Sequence, residues 1–322
     1  MPGKRIVLML FTLIVLMLPV NVQYAQNKEI SLAFSLKEKD LIPEGIIYDT
    51  KEKVFYIGSI NKQKIIKARE TGSAEEFKKQ KEEGLYSVLG MTIDRKRREL
   101  WVCSYAAAGS GAEEGCAGIF KYDLKDGRLI KKYLLDNKNA KHLFNDIAVT
   151  KAGDAYFTDS EDNSVYFIDH NKDVIEPFAA AKKFSGPNGI TLSPGGRYLF
   201  VADSAGIHRV DLNGNRIKLK QPDEISSGGC DGIYFYNNSI VAVQNDFTPQ
   251  RVARFYLNRE LDKIEKIKIL CQDNPLVFIP TTGVIVGNGF YIIGNSQLNL
   301  LKEGKITDCR KLEETRIIKI KL

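Results

Sequence analysis

Six short stretches of this chain can be laid over one another in register. They are "PEGIIYD" from Pro43, "VLGMTID" from Val88, "FNDIAVT" from Phe144, "PNGITLS" from Pro187, "CDGIYFY" from Cys230 and "TTGVIVG" from Thr281. The third residue is Gly in five of them and Asp146 in the other. Their starts are 45, 56, 43, 43 and 51 residues apart. A period of roughly 40–50 residues marks one supersecondary unit used repeatedly, as in propeller blades. Each stretch opens a strand, and turns then separate further aromatic-rich strands. "PNGITLSPGGRYLFVADSAGIHRVDLNGN" shows the whole unit. Short β-branched and aromatic runs bounded by Gly, Asn, Asp and Lys argue for strands rather than helices. The repeat predicts an all-β protein, a six-bladed β-propeller.

A propeller must close its ring. "EISLAFSLK" and "TRIIKIKL" both alternate apolar with polar residues, so both read as half-buried strands. They are expected to share closing blades and so protect the sheet edges. The stretch "SAEEFKKQKEEG" has a capping box at Ser73 and Glu76, yet only Phe77 offers an apolar face. It is expected to be a solvated excursion. "SPGG" and Gly189 read as turn residues.

The first residues differ from the rest. Lys4 and Arg5 precede an apolar run from Ile6 to Val20, and a polar stretch then ends at Ala25. That is the order of a secretory signal peptide. The run is short for a membrane span, which needs about 20 residues. Residues 1–25 are therefore expected to be a signal peptide, with an uncleaved anchor as the alternative. Residues 26–322 are expected to form one propeller domain, exported to the periplasm or secreted, with no membrane contact after cleavage. Export permits disulfides among Cys103, Cys116, Cys230, Cys271 and Cys309, and an odd count leaves at least one thiol over. Cys103 and Cys116 flank the loop "SYAAAGSGAEEG", and a bridge across its base is left open. The formal charge of +7 is spread over interleaved bases and acids, with no long basic block and no interleaving of bases with aromatics. That argues against nucleic acid as a partner. The chain is expected to act as a monomer on a small molecule.

One register position carries the functional expectation. Just before the recurrent Gly or Asp stand Glu44, Leu89, Asn145, Asn188, Asp231 and Thr282. In a propeller the same position in every blade faces the mouth of the central channel, so these residues should converge. Asn or Asp before Gly is common in turns, and Asn188 or Asp231 taken singly fits that reading. Glu44 has no such role. Two carboxylates and two amides at one structural position suit a hard divalent cation, since calcium takes six to eight oxygens. With no Cys or His in the set, zinc and copper are disfavoured. The channel is thus expected to bind metal.

The ordered motifs "PEGIIYD", "FNDIAVT", "PNGITLSPGGRYLFVAD" and "CDGI" resemble those of the regucalcin (senescence marker protein)/gluconolactonase/luciferin-regenerating enzyme family. Members are six-bladed propellers with a divalent metal, often calcium, in the channel, and many hydrolyse lactones or organophosphates. The resemblance implies Glu44, Asn188 and Asp231 as metal ligands. It implies that Asn145 either ligates the metal or positions substrate, and that Asp146 contacts substrate. Cys230 stands where the family often has Pro. The family also implies that magnesium, manganese or zinc can serve in place of calcium.

The expected function is a metal-dependent lactone or ester hydrolase. Asp231 is the expected general base, with Asp146 in reserve. His142, three residues before Asn145, is a candidate to contact substrate or shuttle protons, against the plainer reading of a loop histidine. His170 and His208 fit ordinary blade positions. The loop "DSEDNS" at Asp159–Ser164 reads as a solvated turn before it reads as a second cation site. The alternative function is a non-catalytic propeller that keeps calcium for structure and binds a ligand or partner.

Overall fold

The structure, a computed structural model, describes residues 29–106, 115–135, 141–178 and 184–322. The proposed signal peptide lies outside the described residues. Six four-stranded antiparallel sheets follow one another along the chain as the blades of a propeller. Their innermost strands are Pro43–Asp49, Ser87–Asp94, Phe144–Val149, Ile190–Leu192, Ile233–Phe235 and Gly283–Val286. Five begin within an aligned stretch, and Ser87–Asp94 begins one residue before its own.

The burial pattern explains the sequence pattern. The second strand of a blade lies between neighbouring blades, so both of its faces are covered. Val54–Ser59, Ala155–Asp159, Ser239–Gln244 and Gly289–Ile293 are buried at every residue. This is why "VFYIGS" and "GFYII" run without polar alternation. Outer strands such as Leu129–Leu134 are mostly half-exposed or exposed. The core is accordingly divided among the blade interfaces rather than gathered into one centre.

The ring closes through the chain ends. Ile30–Leu36 pairs antiparallel with Thr315–Lys321, which pairs in turn with Gly289–Ile293. The N-terminal strand is thus the outermost strand of the last blade, and one blade is shared by both ends. Phe34 and Tyr291 each approach Phe55 of the first blade at 5.2 Å between ring centroids. These rings, with Ile57, Ile293 and Ile317, fill the seam between last and first blades.

Two local expectations are corrected. The stretch after Ser73 is the outermost strand of the first blade, Ala74–Lys78, paired with Ile65–Ala68. Its weak apolar face suffices because only Phe77 must be covered, and Tyr56 and Tyr122 meet that ring at 4.8 and 6.4 Å. Gly189 is not a turn residue in the left-handed region. It is needed for close approach, because a Cβ there would lie 2.2 Å from the backbone oxygen of Asp231 in the next blade. The same holds for Gly45 against the Leu89 oxygen at 2.0 Å, and for Gly90 against the Asn145 oxygen at 2.6 Å. The recurrent Gly therefore lets innermost strands crowd the axis. Gly189→Ala is expected to destabilise the fold by about 1–3 kcal/mol through overpacking. Denaturant unfolding would measure this, and an unchanged midpoint would contradict it.

No disulfide joins the five cysteines. The ladder pairs Cys103 with Ile119. Cys116 instead gives its carbonyl to the Ala106 N–H at 2.8 Å, three rungs further along. At about 3.4 Å per residue that is too far for a bridge. The basic run "RKRR" at Arg95–Arg98 is used between blades. Arg98 grips both carboxylate oxygens of buried Asp49 at 2.7 and 2.6 Å, and Arg95 donates to Thr50 at 2.6 Å.

Candidate metal centre at the channel mouth

The innermost strands start at the same end of the channel and bring their first residues together. Glu44, Asp146 and Asp231 are all buried, 6%, 9% and 4% exposed respectively. Among the described residues, no cationic group shifts these acids. Burial holds the Glu44 carboxyl well above the usual carboxylate range, and the charges of Asp231 and Asp146 push it further. Burial raises Asp231 to about 6, against the pull of amides from Asn245 and Asn188. Burial raises Asp146 to about 7, although two backbone N–H groups oppose the shift. Such displaced carboxyls in a concave site are a mark of function.

The hydrogen bonds show which oxygens are left over. Glu44 Oε2 and Asp231 Oδ1 are buried without a hydrogen-bond partner. Buried polar atoms are nearly always satisfied, so two orphaned carboxylate oxygens in one cluster point to a group that binds there. Asp146 differs. Its Oδ1 accepts from Ile147 N at 2.9 Å and its Oδ2 from Ile190 N at 3.1 Å, tying the third blade to the fourth. The Asn145 amide nitrogen donates to Ser160 Oγ at 3.0 Å, and Ser160 donates to the Pro187 carbonyl at 2.7 Å. The Asn188 amide lies close enough to Asp231 to pull its carboxyl down against the burial. Four oxygens, two anionic and two neutral, are a donor set that fits a hard divalent cation.

The remaining register positions are apolar or structural. Leu89 is buried, and Thr281 and Thr282 both donate to the Glu44 carbonyl, closing the ring from the last blade to the first. Below the cluster the inner strands enclose a cavity of about 230 Å³, lined among others by Asp146, Thr92, Thr191 and Tyr234. Tyr234 accepts from Gly283 N at 2.8 Å.

His142 is buried. Its Nδ1 is 2.6 Å from Asp159 Oδ2, and its ring meets Tyr166 edge-on. Asp159 also accepts the N–H groups of Leu143, Glu161 and Asp162, so the loop at Asp159–Ser164 is a turn organised by one carboxylate. The fourth blade repeats the device, with His208 Nε2 3.0 Å from Asp203. His170 sits beside Asp154 on the surface.

Asn245 was not legible at the level of single motifs. Its Nδ2 donates to Asp231 Oδ2 at 2.5 Å. It directly follows the strand Ser239–Gln244, as Ser160 follows Ala155–Asp159. Applying the register argument to the second strands would have found both.

The sequence profile of the SMP-30/Gluconolactonase/LRE-like region matches residues 42–265. The chain belongs to that family. Among solved structures, a gluconolactonase from Xanthomonas campestris superposes with a TM-score of 0.61 at 15% identity, covering 91% of this chain and 89% of the other. A luciferin-regenerating enzyme gives 0.60 at 12%, covering 88% and 92%. Virginiamycin B lyase from Staphylococcus aureus gives 0.60 at 19%, covering 91% and 100%. At such identities these likenesses establish the propeller fold and no activity. No curated protein matches in sequence. For this SMP-30/gluconolactonase-like chain, the matched region contains Glu44, Asn145, Asp146, Asn188 and Asp231.

Proposed function

We propose that this propeller is a divalent-metal-dependent hydrolase of lactones or related esters, with calcium as the first candidate ion. One observation carries the reading: buried carboxylates converge at the channel mouth with two orphaned oxygens, on Glu44 and Asp231. Family membership supports the lactonase class. Glu44, Asn145, Asn188 and Asp231 would hold the cation. When bound, it would supply Lewis-acid polarisation of the substrate carbonyl and offset charge on the oxyanion.

The chain's own groups supply the rest. The Asp231 carboxylate takes the proton of the attacking water. Asp146 is the weaker candidate for that step, because both its oxygens already accept backbone N–H groups. It shapes the polar floor of the site instead. Burial of the cluster excludes bulk water and strengthens each charge interaction there.

The test is a panel of aldonolactones and aryl esters, assayed with calcium and with chelator. Hydrolysis that chelator abolishes and calcium restores is the expected result. No turnover of any member, together with a melting temperature raised by calcium, would replace the enzyme with a non-catalytic, calcium-stabilised propeller.

A further inference from the structure

The acid most exposed to chemistry in this site is held from behind. Asp231 Oδ2 receives the Asn245 side-chain amide at 2.5 Å, while Oδ1 has no hydrogen-bond partner. Asn245 is itself braced. Its backbone carbonyl accepts from Gln250 Nε2 at 2.9 Å, and Gln250 Oε1 accepts from Ile279 N at 3.0 Å. The Ile279 carbonyl takes both the N–H and the hydroxyl of Ser296, at 3.2 and 2.8 Å. On the other side of Asn245, Gln244 donates to Gly228 O at 2.7 Å and accepts from Arg251 Nε at 2.7 Å. A continuous set of hydrogen bonds therefore runs from the sixth blade, through the loop of the fifth, to one oxygen of Asp231.

We propose that Asn245, braced by Gln250, is a positioning residue for Asp231. Its amide fixes the rotation of the carboxylate, so that Oδ2 faces the blade and Oδ1 faces the channel mouth. Without that donor the carboxylate is free to rotate, and Oδ1 no longer holds its aim at the channel mouth. The inference rests on the metal-centre reading. Hydrogen-bond partners that orient ligating carboxylates commonly contribute about 10–100-fold to metal affinity when removed.

The experiment is calorimetric calcium titration of the full chain and of Asn245→Ala and Gln250→Ala, with melting of each in chelator. Asn245→Ala is expected to weaken calcium binding by about 10–100-fold, and Gln250→Ala by less. The melting temperature in chelator should change little for either. A purely structural role would do the reverse, lowering that melting temperature and leaving affinity intact. Wild-type binding matched by Asn245→Ala overturns the positioning role alone. A wild type that binds no calcium overturns the metal reading and the positioning role with it. Asn245→Ser, which keeps a shorter donor, carries the same comparison should the alanine variant not fold, with an affinity between the other two expected.

Discussion

Asp231→Asn is expected to reduce hydrolysis of the best panel substrate by about 10²–10⁴-fold at saturating calcium, the usual contribution of a general base. The substitution is close to isosteric, so packing is kept. It removes the one carboxylate in the cluster that combines a free oxygen with an oriented partner oxygen. Asp146→Asn should cost less. Its carboxylate oxygens already hold Ile147 N and Ile190 N, and its main loss is that link between blades. Single-turnover rates in both variants, measured after titration has established calcium occupancy, separate the roles. Equal losses would dissolve the distinction between them. Undiminished turnover in Asp231→Asn would remove Asp231 as base.

Without metal, stability is expected to fall as pH rises from about 4 to about 7.5. The sign follows from the raised acids. Glu44, Asp146 and Asp231 have ordinary values of 4.5, 3.8 and 3.8 and are all raised in the fold, the last two to about 7 and about 6. Below their ordinary values these three acids are protonated in both folded and unfolded chains, and their full contribution to stability is present. Above them the unfolded chain ionises freely while the fold still holds the protons. Stability is therefore lost steadily until the folded pKa values are passed. Calcium should reverse this trend, because it binds the ionised form and offsets the buried charge. Melting curves across that range in chelator and in calcium test the point. The chelator series should decline several degrees, and Glu44→Gln should flatten the decline. A chelator series that rises over the same window, unchanged by Glu44→Gln, would contradict the cluster's electrostatics.

How much of this was legible in the sequence follows from what kind of fact each feature is. The blade count is a fact of period, and six aligned stretches carry it. Both end strands were legible because a half-buried strand must alternate, as "EISLAFSLK" and "TRIIKIKL" do. That Glu44 and Asp231 come near one another was legible because a closed ring of equal units brings equal positions to the axis. The strand Ala74–Lys78 was not, since an edge strand needs little apolar surface and "AEEFK" shows almost none.

What the tertiary structure alone decided are matters of distance. The sequence shows Gly at the third position of five units, but only the packed ring reveals that at Gly45, Gly90 and Gly189 the next blade's backbone passes about where a Cβ would be. The sequence separates Cys103 from a partner by a loop, but the ladder sets them three rungs apart. His142 stands near Asn145 in the chain, yet its ring turns toward Asp159 and Tyr166. Asn245 stands 14 residues from Asp231 and donates to it. Repetition and alternation along a chain determine which elements form and which positions correspond. Which oxygen is left without a partner depends on side chains from different blades meeting in three dimensions, and no local pattern encodes that.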